Sequence, residues 1–498
     1  MVGTTLPVWL KQRAYLTPHR LALISEETSL TFAQLEQRAS HLAGLLVQQG
    51  IKPGERIALL AGNTVSTVAL IHAIGYVKGV LVPLNTRLSA TELIWQINDA
   101  QASLLLFDEA YQDKVERLKE KIDCPIVAIS QLIEKELNGA PFKPENPVDL
   151  DDLHTIIYTS GTTGRPKGAM LSYGNHFWSA VGSVLNLGLN QGDRWLCCVP
   201  LFHVSGLSIL MRSVIYGMSV VLVERFDPVR VNQLITQHKV THISVVSAML
   251  QALIEHLESD QYPDHLRVIL LGGGPVPEPL LKTCLKRSLP VYQSYGLTET
   301  ASQIVTLAPE DVERKAGSAG KPLFPAQIAI MENGQKLSAG QAGEIVVKGP
   351  NVTKGYFNRE EETARVLKDG WFYTGDIGYL DEEGYLYVLD RRSDLIISGG
   401  ENVYPAEVES VLMAHPDVKE AGVIGQEDPK WGEVPVAFVV KQPQSLLSEE
   451  DLIHFSRARL ASYKVPRVIY FVDHLPRNAA NKLLRRELRS LLENPPKN

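Results

Sequence analysis

Apolar positions along the chain fall into short runs separated by longer helical patterns. RIALLAGN (56–63), ASLLLFD (102–108), LHTIIYTS (153–160), RWLCCVP (194–200), SVVLVE (219–224), VILLGGG (268–274) and PVYQSYG (290–296) read as buried strands. Several of them end directly in Gly, Ser or Thr before the next helix begins. Strands alternating with helices, with ligand loops at strand C-terminal ends, predict an α/β fold of parallel layers. The most apolar window, Leu196–Val223, is broken by Pro200, His203, Arg212 and glycines, so it reads as strand, loop and helix, not as a membrane span.

The pattern changes around VLDRRSDLIISGGENVYPAEVE (388–409), where Gly399-Gly400 and Pro405 punctuate a new unit. PAEVESVLMAH starts a helix with Val408, Val411 and Leu412 on its apolar face. Strand-like AGVIG and VAFVV follow, then a helix from Glu449 to Leu460 and strand-like RVIYFVD. This predicts two domains with a boundary near Asp390. Residues 1–390 form a large N-terminal domain of layered α/β subdomains, and residues 391–498 a small C-terminal α+β domain of typical independent size. A chain of 498 residues exceeds what one hydrophobic core usually serves.

Composition narrows the function classes. Hydrophobic residues make up 45% and charged residues 21%, the balance of a soluble globular protein. A net charge of −7 disfavours nucleic acid as the main partner. Cys124, Cys197, Cys198 and Cys284 form no CxxC pair or zinc spacing, and the N-terminal stretch carries Lys11, Arg13 and Arg20 with no apolar signal core. A reducing, cytoplasmic setting without a membrane anchor is expected.

YTSGTTGRPKG (158–168) is the first candidate for chemistry. Thr159, Ser160, Thr162 and Thr163 offer hydroxyls, Gly161, Gly164 and Gly168 let the backbone amides close on an anion, and Lys167 adds charge. It is not a P-loop: Pro166 stands where the second Gly would be and Gly168 where the metal-binding hydroxyl would be. In QSYGLTET (293–300), Glu299 supplies a hard oxygen suited to Mg2+, Thr298 a hydrogen bond to phosphate, and Tyr295 with Gly296 a flat ring and turn for adenine. Asp376 in YTGD has the carboxylate needed to accept from both ribose hydroxyls.

Together these motifs resemble the adenylate-forming superfamily of acyl-CoA synthetases, luciferases and peptide-synthetase adenylation domains. PLFHVSG (200–206), QSYGLTET, GEIVVKGP (343–350), GWFYTGDIG (370–378), DRRSDLIISGGENVYPAEVE (390–409) and PRNAANK (476–482) occur in the family's order, with LTFAQLEQRA (30–39) upstream. The resemblance implies ATP and Mg2+ use, with coenzyme A as co-substrate, and a mobile small domain. It implies that Lys482 bridges the attacking carboxylate and the α-phosphate, that Arg391 is a second ribose contact, and that Gly272, Gly273 and Gly274 run along the adenine. Ser393 takes the hinge position, where many relatives have Asp or Lys, and Asn481 stands in place of a common Gly. Gly399 and Gly400 resemble the turn that faces the pantetheine tunnel, and His203 and Ser205 resemble pocket residues.

Closer resemblance is to the o-succinylbenzoate–CoA ligase subfamily, carried by SQIVTL directly after the Glu299 motif and by LPRNAANKLLR (475–485). It implies small-molecule partners and is compatible with a homo-oligomer. An aromatic dicarboxylate needs an apolar slot and a cation for the carboxylate that is not activated, and Arg225 is a candidate for that cation. Two alternatives stay open at this point: another aryl- or fatty-acid–CoA ligase, and a nucleotide-binding regulatory protein that keeps the fold without catalysis.

Overall fold

In a computed structural model, residues 4–136, 140–144, 147–159, 166–257, 261–273, 276, 278–315, 317–390, 396–403, 405–476, 483 and 485–493 are described. Two large sheets dominate residues up to Pro322. The first runs in the order Lys167–Ser172, Leu153–Thr159, Val80–Pro83, Arg56–Leu60, Leu104–Phe107 and Ile126–Ala128, and all but the Lys167–Ser172 edge pair in parallel. The second has nine strands, with Val291–Leu297, Val268–Leu271, His242–Val245, Arg194–Cys197, Ser219–Leu222 and Leu21–Ile24 parallel at its centre. Parallel strands are buried on both faces, which is why these segments are nearly continuous apolar runs.

Each of the seven runs named above contains an observed strand. Strands His242–Val245 and Val80–Pro83 lie outside those runs. His242 and Ser244 interrupt the first with buried polar side chains: His242 Nδ1 bonds Thr241 Oγ1 and Ser244 Oγ accepts from Trp195 Nε1, while His242 Nε2 has no partner among the described residues. Only the turn at Lys78 (φ 53°) and Gly79 separates the second from helix Val65–Tyr76, too little to punctuate the sequence. The window Leu196–Val223 holds the end of one strand, helix Val204–Tyr216 and strand Ser219–Leu222, and no described helix is long and apolar enough to cross a membrane.

A third sheet is antiparallel, in the order Gln335–Lys336, Gln327–Glu332, Gly343–Lys348, Trp371–Leu380 and Leu367–Lys368, with Leu386–Asp390 on Trp371–Leu380. The layered α/β reading did not separate this unit. Its core includes Tyr295, Ile304 and Val305 from the second sheet, so it is packed as a continuation of it.

Beyond residue 395 the chain builds a separate five-stranded sheet from Glu401–Val403, Ile396–Ser398, Gly432–Lys441, Val418–Asp428 and Val468–Phe471. Helices Pro405–Met413 and Glu449–Arg457 cover one face, and helix Arg485–Glu493 packs on strand Val418–Asp428 from the other. Ser448 caps Glu449–Arg457 in a capping box with Asp451, fixing the predicted helix start.

Candidate functional site

The strand order brings one chemistry-bearing feature to nearly every strand C-terminus. Residues following Arg56–Leu60, Val80–Pro83, Leu104–Phe107, Leu153–Thr159, Arg194–Cys197, Ser219–Leu222, His242–Val245, Val268–Leu271 and Val291–Leu297 line a cavity of about 1340 Å3. Ligand sites in open α/β sheets lie at this edge. Thr374–Asp376 of the antiparallel sheet and Gly399–Glu401, Tyr463, Lys464 and Arg485 of the small domain complete the wall. Asn63 fastens the two large sheets together there: its amide donates to Val199 O (3.0 Å) and Val223 O (3.2 Å), and its oxygen accepts from Leu201 N (2.9 Å).

Glu299 sits in a short 3-10 turn, Thr298–Thr300, directly after strand Val291–Leu297. The turn is held from several sides. Ser179 donates to Ala301 O, Asn351 to Thr300 O, and Thr353 N to Glu299 O. It leaves Ala301 and Ser302 at φ of 52° and 99°, a backbone region that non-glycine residues rarely occupy and that clusters at functional sites. Glu299 is buried on the cavity wall. One of its oxygens accepts from Tyr356 Oη (2.9 Å) and lies 3.5 Å from Thr159 Oγ1, and the ring of Tyr356 lies under Lys167 Nζ at 5.4 Å from its centroid.

No group of three or more His, Cys, Asp or Glu suited to a metal occurs among the described residues. A single buried carboxylate 3.5 Å from Thr159 Oγ1 fits Mg2+, which commonly takes one or two carboxylates and completes its shell with phosphate oxygens and water.

Asp376 is buried at the cavity wall and accepts from Tyr295 Oη at 2.7 Å. That bond changes the picture of Tyr295. Its ring, expected to offer adenine a flat face, is 7% exposed within the core of the antiparallel sheet, and its neighbours Ser294 and Gly296 line the cavity. Gly296 has no room for a side chain, since a Cβ would meet Ser302 O at 2.2 Å. Gly272 and Gly273 also line the cavity. Thr159, Lys167, Thr298, His203 and Ser205 line the cavity, as do Gly399 and Gly400 of the small domain. Ser160, Gly161, Thr162, Thr163, Gly164, Gly274, Arg391, Ser393 and Lys482 lie outside the described residues.

His203 occupies the N-cap position of helix Val204–Tyr216 without a side-chain cap bond and faces the small domain, its Nε2 3.2 Å from Glu401 Oε2. Arg87 reaches the other oxygen of Glu401 at 2.7 Å. Burial alone would raise the Glu401 pKa, but His203, Arg87 and Lys464 outweigh it and hold the carboxyl below its ordinary value.

The sequence reading missed Arg212. Arg225, the cation proposed for a second carboxylate, is exposed at the cavity rim. Arg212 is 1% exposed on the wall, its guanidinium 5.1 Å from the Trp195 ring, and its Nε and Nη2 have no hydrogen-bond partner among the described residues. A buried cation without an anion is costly. Burial lowers its pKa, as expected for an uncompensated charge. Ser244 and Gln303 line the same cavity, and Gln303 Oε1 is also unpaired. The only sequence signal for Arg212 is a lone cation on the otherwise apolar helix LSILMRSVIY (207–216).

Comparison with known proteins agrees with this geometry. Residues 10–357 match the model of the AMP-binding enzyme family, and residues 407–482 that of the AMP-binding enzyme C-terminal domain. The chain is 54% identical over 489 residues, 98% of each chain, to a 2-succinylbenzoate–CoA ligase of Geobacillus kaustophilus. Among solved structures it resembles the o-succinylbenzoate CoA synthetase of Bacillus subtilis. A double mutant of that enzyme with the product analogue OSB-NCoA matches with a TM-score of 0.93, 48% identity and 98% of both chains covered. The complex with the acyl-adenylate OSB-AMP, at the same identity and coverage, matches at 0.76. The complex with ATP and magnesium ion matches at 0.75, with 47% identity, 98% of this chain and 100% of that chain.

Proposed function

Because this chain belongs to the AMP-binding enzyme family, we propose that its cavity joins o-succinylbenzoate to coenzyme A in two steps through an acyl-adenylate. The observation that carries the choice of acid is Arg212, a buried guanidinium with two N–H groups unpaired among the described residues, lining the same cavity as Glu299 and Asp376. A monocarboxylic acid would spend its only carboxylate on adenylation and leave Arg212 uncompensated. An aromatic dicarboxylate pairs one carboxylate with Arg212 and presents the other to ATP.

In the first step the succinyl carboxylate oxygen attacks the α-phosphorus, the bond to the β,γ-unit breaks, and pyrophosphate leaves. Glu299 would hold a Mg2+ ion, which would supply positive charge to neutralise the phosphates. Thr159, Lys167 and the 160–164 loop hold the phosphates, Glu299 fixes the metal, Asp376 and Arg391 hold the ribose, and Lys482 bridges attacking and attacked groups, stabilising charge that converges only in the transition state. In the second step the CoA thiol gives its proton to solvent, its sulfur attacks the acyl carbon, the bond from that carbon to the phosphate oxygen breaks, and AMP leaves. Residues Gly399 and Gly400 admit the pantetheine chain to the cavity. The domain boundary lies at 390/391, with Ser393 as the pivot. All four cysteines are free thiols, in keeping with a reducing cytoplasm.

The test is pyrophosphate release without CoA, comparing o-succinylbenzoate with 4-oxo-4-phenylbutanoate, which lacks only the ring carboxylate. Release with the first and a much slower rate with the second is the expected result. Equal rates would remove Arg212 as the selector, and no release with either would refute the reading.

A further inference from the structure

A short segment of the large domain, Asn85–Glu92, makes a series of polar contacts to the small domain. Ser89 caps helix Ala90–Asp99, and its backbone N–H donates to Glu92 Oε2 at 2.9 Å in a capping box. The same two residues reach across the interface. Ser89 Oγ donates to Arg459 O at 2.7 Å, and Glu92 Oε1 accepts from Lys464 Nζ at 2.8 Å. Lys464 also donates to Glu407 Oε1 at 2.8 Å. The side chains of Lys464, Glu92 and Glu407 are 4%, 9% and 6% exposed. Arg87 and Glu401 form a second, more open bridge nearby.

Lys464 and Glu407 both belong to the small domain and travel with it, so only Glu92 joins or leaves the cluster when the domains rearrange. The fit to the relative carrying a CoA-bearing product analogue is closer than the fit to the same relative carrying acyl-adenylate or ATP. We propose that Glu92 is a positioning residue for the thioester-forming step: it latches the small domain, through Lys464, in the orientation seen here, and has no part in adenylation. The inference rests on the two-step reading above. Burial, the attraction of Lys464 and the repulsion of Glu92 act together on Glu407, and the balance raises its pKa. The second carboxylate therefore adds to the cluster's electrostatic tension as well as to its attraction.

The substitution Glu92→Gln isolates this role. An amide has one acceptor oxygen, so it can keep the helix cap or the bond to Lys464 but not both, and it carries no charge for a buried ammonium. Each half-reaction is measured separately on the full chain: pyrophosphate release without CoA, and thioester formation from supplied acyl-adenylate with CoA. The latch predicts at least a tenfold slower second step, with the first step within twofold of wild type, and a Tm lowered by the lost cap or ion-pair contact without loss of the folded state. Small-angle scattering with a CoA-bearing product analogue would show a lower occupancy of the present orientation in the variant. Parallel losses in both steps would make Glu92 merely structural and overturn the proposal, as would an unchanged second step. Failure of wild type itself to release pyrophosphate would instead sink the two-step reading, so the two failures are distinguishable.

Discussion

Replacing Arg212 by leucine should push activity and stability in opposite directions. In the free protein the guanidinium is buried, stacked 5.1 Å from Trp195, and unpaired at Nε and Nη2. Exchanging such a charge for a packed apolar side chain is often stabilising, by about 1–4 kcal/mol. The Tm of the variant should therefore rise. With substrate bound the sign reverses, because the ring carboxylate would enter a buried site with no cation. Truncating one partner of a buried charge pair costs about 2–5 kcal/mol. At about 1.4 kcal/mol per factor of ten, this corresponds to a fall of roughly 30-fold to several thousand-fold in kcat/KM for o-succinylbenzoate. The KM for ATP should stay within about twofold, and 4-oxo-4-phenylbutanoate should be used about as well by the variant as by wild type. The assay is pyrophosphate release at varied acid and fixed Mg-ATP, together with a thermal melt. An equal loss with both acids, or a lower Tm, would refute the reasoning.

Three further outcomes follow from named contacts. Tyr356→Phe removes the 2.9 Å bond that orients Glu299 but keeps the ring under Lys167, and a lost outer-shell partner of a metal ligand commonly costs 10–100-fold; the half-saturating Mg2+ concentration for adenylation should rise by about tenfold, and direct Mn2+ binding in the presence of ATP should weaken alongside. Asn63→Ala removes three hydrogen bonds that tie the turn 199–201 and Val223 to the first sheet, so melting should show a loss of about 2–4 kcal/mol with little change in the apparent affinity for ATP. Burial lowers the pKa of His72 to about 4 and of His176 to about 3. Because the unfolded imidazoles titrate near 6.5, the stability they confer is complete above that pH and is lost as pH falls toward the folded values, by about 2 kcal/mol for each at pH 5. Denaturant melts between pH 7.5 and 5 should show that decline, and a flat profile would contradict it.

What could be read from the sequence were features whose physics is local. Continuous apolar runs marked the parallel strands because those strands are buried on both faces. The antiparallel sheet was not separated, since its core is shared with strands Val291–Leu297 and Ser302–Leu307, which carry Tyr295, Ile304 and Val305, and only long-range pairing distinguishes it. Thr159, Lys167, Thr298, Glu299 and Asp376, far apart in sequence, line one cavity. Tyr295 illustrates the limit. Its bond to Asp376 spans 81 positions, and no local pattern could show that its ring is buried in a core and leaves little face for a ligand. Arg212 was missed for the converse reason: one cation on an apolar helix reads as an ordinary surface residue until the fold buries it.

The most direct test of the account is product stoichiometry with ATP, Mg2+, coenzyme A and o-succinylbenzoate, following pyrophosphate, AMP and thioester together. The account predicts one of each per acid consumed, with pyrophosphate still released when CoA is omitted. ADP and phosphate in place of AMP and pyrophosphate, or thioester formed without AMP, would contradict it.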